Sequence, residues 1–219
     1  MKLGILGGTF NPIHLAHLRV AEEVREVCAL DQVLFIPAAD PPHKLVAENT
    51  PFRHRLAMVE AAIADNPHFR LSDIEAHRPG KSYSVDTLSQ LRREHPEDEF
   101  YFIIGMDSFR DLANWKNYRT LFTLTNIVVA ARPGAAVQEP LDFLPVAIKK
   151  DFCYTGASKS LRHCSGTSVI FLGETFLDIS STRIRQLVSE NRSTRYLVPA
   201  AVGHYMERHG LYQNKEERF

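Results

Sequence analysis

Apolar residues along this chain follow two alternating patterns: short continuous runs, and longer stretches in which they recur every three or four positions. The runs are Leu3 to Leu6, Val33 to Ile36, Phe100 to Ile104, Asn126 to Ala131 and Val169 to Leu172. Each stops at Gly, Pro or a charged turn, which predicts strands buried on both faces. Phe69 to Leu71 reads as a shorter strand of the same kind. Between the runs the spacing is helical. Val20, Val24 and Val27 alternate with Glu22, Glu23, Arg25 and Glu26; Leu56, Val59 and Ile63 line a helix from Phe52 to Ala64 that Asn66-Pro67 ends. Val85, Leu88 and Leu91 follow Ser84, which reads as an N-cap, and Ile184, Leu187 and Val188 follow a cap at Ser180 or Ser181. A terminal helix runs from Pro199 to Arg208, with Gly210 in the position of a C′ glycine.

Strands alternating with helices predict an α/β fold built on a doubly wound parallel sheet. Such sheets bind ligands beyond the carboxyl ends of their strands, where the strand order reverses. Gly7-Gly8, Gly105 and Arg132 should gather there. The 219 residues allow one domain, with a core at 1–134 and 168–190 and a helical C-terminal portion at 191–219. The stretch 135–167 carries Lys149, Lys150, Lys159 and Arg162 without a clear period and reads as an insertion.

Composition narrows the function. The chain is 44% hydrophobic and 24% charged, which is ordinary for a folded globular protein. Its 26 basic residues equal its 26 acidic ones, so no global field holds a nucleic-acid backbone, and an anionic ligand must be met by local charge. Cys28, Cys153 and Cys164 lack the spacing of a zinc or redox motif and suggest a reducing compartment. No stretch approaches the roughly 18 apolar residues of a membrane span. The expectation is a cytoplasmic protein with no membrane or nucleic-acid partner.

The first turn carries the clearest chemistry. Neither G-x-G-x-x-G nor G-x-x-x-x-G-K-[ST] is present, so dehydrogenase and P-loop readings are disfavoured. The glycine pair after the first strand still lets backbone approach a ligand closely. His14 and His17 fall at the start of the first helix, three residues apart and on one face. A helix N-terminus favours anions, and two imidazoles beside it can donate to phosphate oxygens. A zinc site with His43 is the rival, but no H-E-x-x-H or C-x-x-C supports it. Ser180, Ser181 and Thr182 open a second helix where hydroxyls and free N–H groups can cradle phosphate, with Arg185 placed for a forked contact.

The string Gly7-Gly-Thr-Phe-Asn-Pro-Ile-His-Leu-Ala-His17 resembles the G-G-[TS]-F-[DN]-P-x-H-x-G-H signature of the nucleotidylyltransferase superfamily, and Ile179-Ser-Ser-Thr-Arg-Ile-Arg185 resembles its second signature. Ala16 departs from the usual glycine of H-x-G-H. Within the superfamily, the middle of the chain resembles the bacterial nicotinate mononucleotide adenylyltransferases. The similarity lies in Ile36-Pro37 through Pro41-Pro-His-Lys44, Ser82-Tyr-Ser84 with Asp86-Thr-Leu88, Ile103-Ile-Gly-Met-Asp107 with Trp115, and Arg132-Pro-Gly134. Ala38 is a second departure, where some relatives carry asparagine.

The resemblance implies roles for these residues. His14, His17, Lys44 and Arg185 would contact the phosphates as the catalytic set. Gly7, Gly8, Thr9 and Phe10, with Gly105, Asp107 and Ile179, Ser180, Ser181 and Thr182, would line the ATP site. Trp115 would stack on the acceptor's pyridine ring, and His43, Ser84 and Arg132 would hold its carboxylate or phosphate. The implied partners are ATP and nicotinate mononucleotide, with Mg²⁺ carried mainly by substrate phosphates and no metal ligated by the protein. Nicotinamide mononucleotide and phosphopantetheine remain alternative acceptors, a non-catalytic nucleotide-binding relative is a third reading, and self-association is left open.

Overall fold

The computed structural model describes residues 1–42, 50–130, 139–155, 160–173 and 177–214. His43, Lys44 and Arg132 lie outside the described residues.

Eight strands form one sheet: β1 (Lys2–Gly8), β2 (Gln32–Pro37), β3 (Phe69–Leu71), β4 (Glu99–Gly105), β5 (Asn126–Ala130), β6 (Phe152–Tyr154), β7 (Ser160–His163) and β8 (Ser168–Leu172). Their spatial order is β3-β2-β1-β4-β5-β8-β7-β6. The six from β3 to β8 run parallel, with register such as Ile5 beside Leu34 and Phe102. β1 sits centrally, and the order reverses between β1 and β4.

Alternate residues of these strands feed two cores, which explains the continuous apolar runs. One face carries Ile5, Phe102, Ile104 and Val129. These pack on α3 (Ser84–Glu94), α4 (Met106–Arg110) and α5 (Tyr118–Leu124) through Leu88, Phe109 and Leu121. The other face carries Leu6, Phe35, Ile103 and Val128. Over them lie α1 (Leu15–Val27), α2 (Phe52–Ile63), α6 (Ser181–Ser189) and α7 (Ala200–Arg208) through Val24, Val59, Ile184 and Val202. No described helix is long and apolar enough to cross a membrane.

Several local expectations need correction. Val27 ends α1 and is 51% exposed, because the chain turns at Cys28 and Ala29 and Leu30 reaches the core instead. Leu56 is only half-buried; the buried stripe of α2 is Arg55, Met58, Val59, Ala62 and Ile63. Ser84 is the first residue of α3, not its cap. Tyr83 holds the cap position and supplies no side-chain bond.

The sheet is also not wholly parallel. Within 135–167, 3-10 turns at Pro140–Phe143 and Val146–Asp151 lead into β6 and β7, which extend the sheet antiparallel. Only a tight turn with Gly166 at φ +94° separates β7 from β8, too little chain for the crossover that a parallel pair needs.

Candidate active site

The carboxyl ends of β1, β2, β4 and β5 open into a cleft of about 700 Å³ where the strand order reverses. Its lining gathers most of the expected residues: Gly7, Gly8, Thr9, His14 and His17 from the first turn; Gly105; Ser84 and Trp115; and Ile179, Ser180, Ser181, Thr182 and Arg185. Both departures, Ala16 and Ala38, face it as well. A Cβ built on Gly105 would meet no protein atom within 4 Å, so packing does not demand glycine there. The open floor suits close approach of a ligand.

α1 enters the cleft by its N-terminus, with His14 as cap residue. His14 and His17 stack at 3.7 Å between ring centroids, 25° from parallel. The His14 backbone N–H donates to His17 Nδ1 at 3.2 Å, which caps the helix and places the proton of neutral His17 on Nε2. Burial pushes the His14 pKa down to about 4. His17 is also held well below the ordinary value, by burial first and then by His14. Both rings are therefore neutral donors near neutral pH. The Leu15 N–H bonds to Leu197 O at 3.0 Å, so the C-terminal portion anchors this corner.

α6, on the same face of the sheet, also brings its N-terminus to the cleft. Ser180 caps it by accepting the Arg183 N–H at 3.2 Å, as the sequence suggested. Ser181 Oγ donates to Pro12 O at 2.8 Å, and Arg185 Nη1 donates to Asn11 O at 2.9 Å. Arg185 Nη2 reaches Thr182 Oγ1 at 3.3 Å. The two signature segments, far apart in sequence, are thus bonded to each other.

The other end of the cleft is formed by α3 and the loop after α4. Tyr83, Ser84 and Val85 present the start of α3, where no side chain caps the N–H groups. Trp115 is half-buried, edge-on to Phe102 at 6.3 Å. Beside it Lys116 Nζ donates to Asp86 at 2.8 and 3.2 Å and lies 4.7 Å from the Tyr83 ring centre. Asp40 and Ser82 exchange bonds, Asp40 N–H to Ser82 Oγ at 3.1 Å and Ser82 N–H to Asp40 O at 2.9 Å, which docks the Pro41-Pro42 segment on this wall.

Two expected ATP-site residues are not among those that line the cleft. Phe10 is 2% exposed and not among the lining residues; its ring packs edge-on to His17 at 5.1 Å and supports that imidazole from below. Its φ of +47° turns the side chain back into the core. Asp107 is exposed in the first turn of α4, and Ser108 lines the cleft instead. The sequence reading missed Arg55, Glu75, Tyr83 and Lys116. Of these, Arg55 left a signal, a cation in phase with the buried stripe of α2.

Among the described residues no cluster of three His, Cys, Asp or Glu could hold a metal ion. The cleft's donor set (imidazole, guanidinium, hydroxyl and helix N–H) fits phosphate oxygens. A cation would be held through those oxygens.

Comparison with known proteins agrees with this geometry. Residues 5–187 match the family described as cytidylyltransferase-like. A protein of Syntrophotalea carbinolica named "Probable nicotinate-nucleotide adenylyltransferase" is 65% identical over 99% of both chains. The chain belongs to the nicotinate-nucleotide adenylyltransferase family. A member from Geobacter sulfurreducens is 58% identical over 97% of this chain and 98% of its own. Among solved structures, the nicotinic acid mononucleotide adenylyltransferase of Plasmodium falciparum complexed with NaAD superposes with a TM-score of 0.74. That alignment covers 96% of this chain and 97% of the other at 20% identity, which speaks for the shared fold. The family assignment covers both walls of the cleft, since Gly7 to Arg185 falls within the matched residues.

Proposed function

We propose that this chain transfers the adenylyl group of ATP to nicotinate mononucleotide, a step of pyridine nucleotide biosynthesis. One observation carries the reading. A single cleft joins an end lined by His14, His17 and Arg185 to an aromatic end with Trp115 and the open start of α3. The names borne by relatives at 65% and 58% identity support it.

The acceptor's phosphate has a second pKa of about 6, so near pH 7 it is already an ionised nucleophile and no general base is required. Its oxygen attacks the α-phosphorus of ATP. The bond from that phosphorus to the β-bridging oxygen breaks, and nicotinate adenine dinucleotide and pyrophosphate result. The chain's task is alignment and stabilisation of charge on the transferring group. His17 Nε2–H and the His14 ring donate to it from the α1 side. Arg185, Ser181 and Thr182 hold phosphate oxygens from the α6 side, and Lys44 completes the set. Bound Mg²⁺ would supply charge neutralisation at those same oxygens. Trp115 takes the pyridine ring, and the Ser84 N–H region, together with Arg132, takes the acceptor's anionic groups.

Pyrophosphate release from ATP and Mg²⁺ tests the reading with three acceptors in parallel. The expected kcat/KM for nicotinate mononucleotide exceeds those for nicotinamide mononucleotide and phosphopantetheine by on the order of tenfold or more. A preference for either rival acceptor would replace the substrate assigned. Release with none of them would leave a nucleotide-binding protein without this activity.

A further inference from the structure

Arg55 is 2% exposed in the buried stripe of α2, at a position where an apolar side chain would pack. No carboxylate pairs with it among the described residues. Its guanidinium instead donates to three backbone carbonyls: Nη1 to Thr9 O at 2.8 Å, Nη2 to Ala39 O at 3.3 Å and Nε to Thr50 O at 3.0 Å. Burial draws its pKa down from the ordinary arginine value, with Tyr212 and Glu75 acting against that shift. Burying a cation is costly, and a well-packed apolar residue often does as well or better for stability alone.

The three acceptors are not scattered. Thr9 belongs to the turn that floors the phosphate end of the cleft. Ala39 and Thr50 stand on either side of the connection between β2 and α2. The Ala39–Asp40 peptide has its carbonyl on Arg55 and its N–H on Ser82 Oγ, two residues before Ser84. One guanidinium therefore joins the turn under the ATP phosphates to the wall that receives the acceptor.

We propose that Arg55 is a positioning residue that sets the spacing between the nucleotide end and the acceptor end of the cleft. The rigid fork of an arginine can hold three carbonyls in fixed directions, whereas a lysine ammonium cannot reproduce that geometry. Misplacement of reacting groups by about 1 Å costs on the order of a hundredfold in rate, even when each substrate still binds. The proposal rests on the adenylyl-transfer reading.

The test compares native protein with Arg55→Lys and Arg55→Gln, each shown to be folded by circular dichroism at the assay temperature. Pyrophosphate release is measured over both substrates, and the affinity for a non-hydrolysable ATP analogue by calorimetry. The expected result is a kcat reduced about 10- to 100-fold in both variants, with both KM values and the analogue affinity within about threefold of native. Arg55→Lys should be the milder. A folded variant with native kcat overturns the proposal, and so does a loss that appears equally in analogue affinity. If both variants fail to fold, Arg55 is a core residue and the positioning role is wrong. Should native protein itself release no pyrophosphate, it is the adenylyl-transfer reading that fails, visible in the control before any variant is compared.

Discussion

α1 and α6 both point their N-termini into the cleft, yet they meet an anion with different kinds of group. At α1 the donors are two stacked, neutral imidazoles, His14 buried and His17 half-buried, one of which also caps the helix. At α6 they are hydroxyls and a half-buried guanidinium tied back to Asn11. A charged pair at α1 would face both its own like charge and the positive end of the helix. Neutral rings avoid that conflict, and fixed, pre-oriented donors act on charge that develops during reaction. Arg185 carries a permanent charge that attracts the polyphosphate before it docks. On the proposed reading, transition-state stabilisation falls chiefly to α1 and ground-state binding chiefly to α6.

The largest expected effect lies at α1. His17→Ala should lower kcat on the order of 10²- to 10³-fold, as for loss of a transition-state donor, while the chain stays folded. Steady-state pyrophosphate release reads this directly, and a near-normal kcat would remove the role. Arg185→Ala should cost roughly 10- to 100-fold in kcat/KM for ATP, the range of a hydrogen bond to a charged group, and mainly through KM. Its deficit should shrink as salt is raised, whereas that of His17→Ala should not. If the two variants exchanged signatures, the division of labour between the helices would be reversed.

Acid should separate the two regions as well. The His14 pKa is about 4 in the folded chain against the ordinary 6.5. Between these values the unfolded chain holds more protons, so the stability from neutral His14 is complete above 6.5 and falls away as pH drops towards 4. At pH 5 the loss is about 2 kcal/mol from this residue. Denaturant unfolding at pH 7.5 and pH 5 should show a shallower dependence in His14→Asn than in native protein; equal dependence would contradict the burial argument. The smallest effect is at α6. Ser180→Ala removes the N-cap and should cost about 1 kcal/mol, or roughly 2–4 °C in Tm.

The parallel strands were readable because burial on both faces writes unbroken apolar runs; Val128 and Val129 enter opposite cores. β6 and β7 bury only Phe152 and Leu161 respectively, so no run or alternation marked them. α4 and α5 are too short to display a period. In the cleft, motif position located the residues but not their direction. Phe10 belongs to the first signature, yet its ring supports His17 from the core. Ser84 was expected to cap α3 and instead opens it, which leaves the helix start bare towards the acceptor end. Arg55 was visible as a cation in phase with Met58, Val59 and Ala62, but only its three carbonyl partners give that position a meaning. Glu75 lies in a 3-10 turn with no period to betray its burial.

On the proposed reading, acceptor and ATP occupy opposite ends of one cleft. The chain has a single tryptophan, and it stands at the acceptor end. Titrating native protein with nicotinate mononucleotide while following intrinsic fluorescence is therefore the most direct measurement. The expected result is saturable quenching of Trp115 by the electron-poor pyridinium ring, with little change on adding ATP alone. Unaltered fluorescence at an acceptor concentration that supports turnover would contradict it.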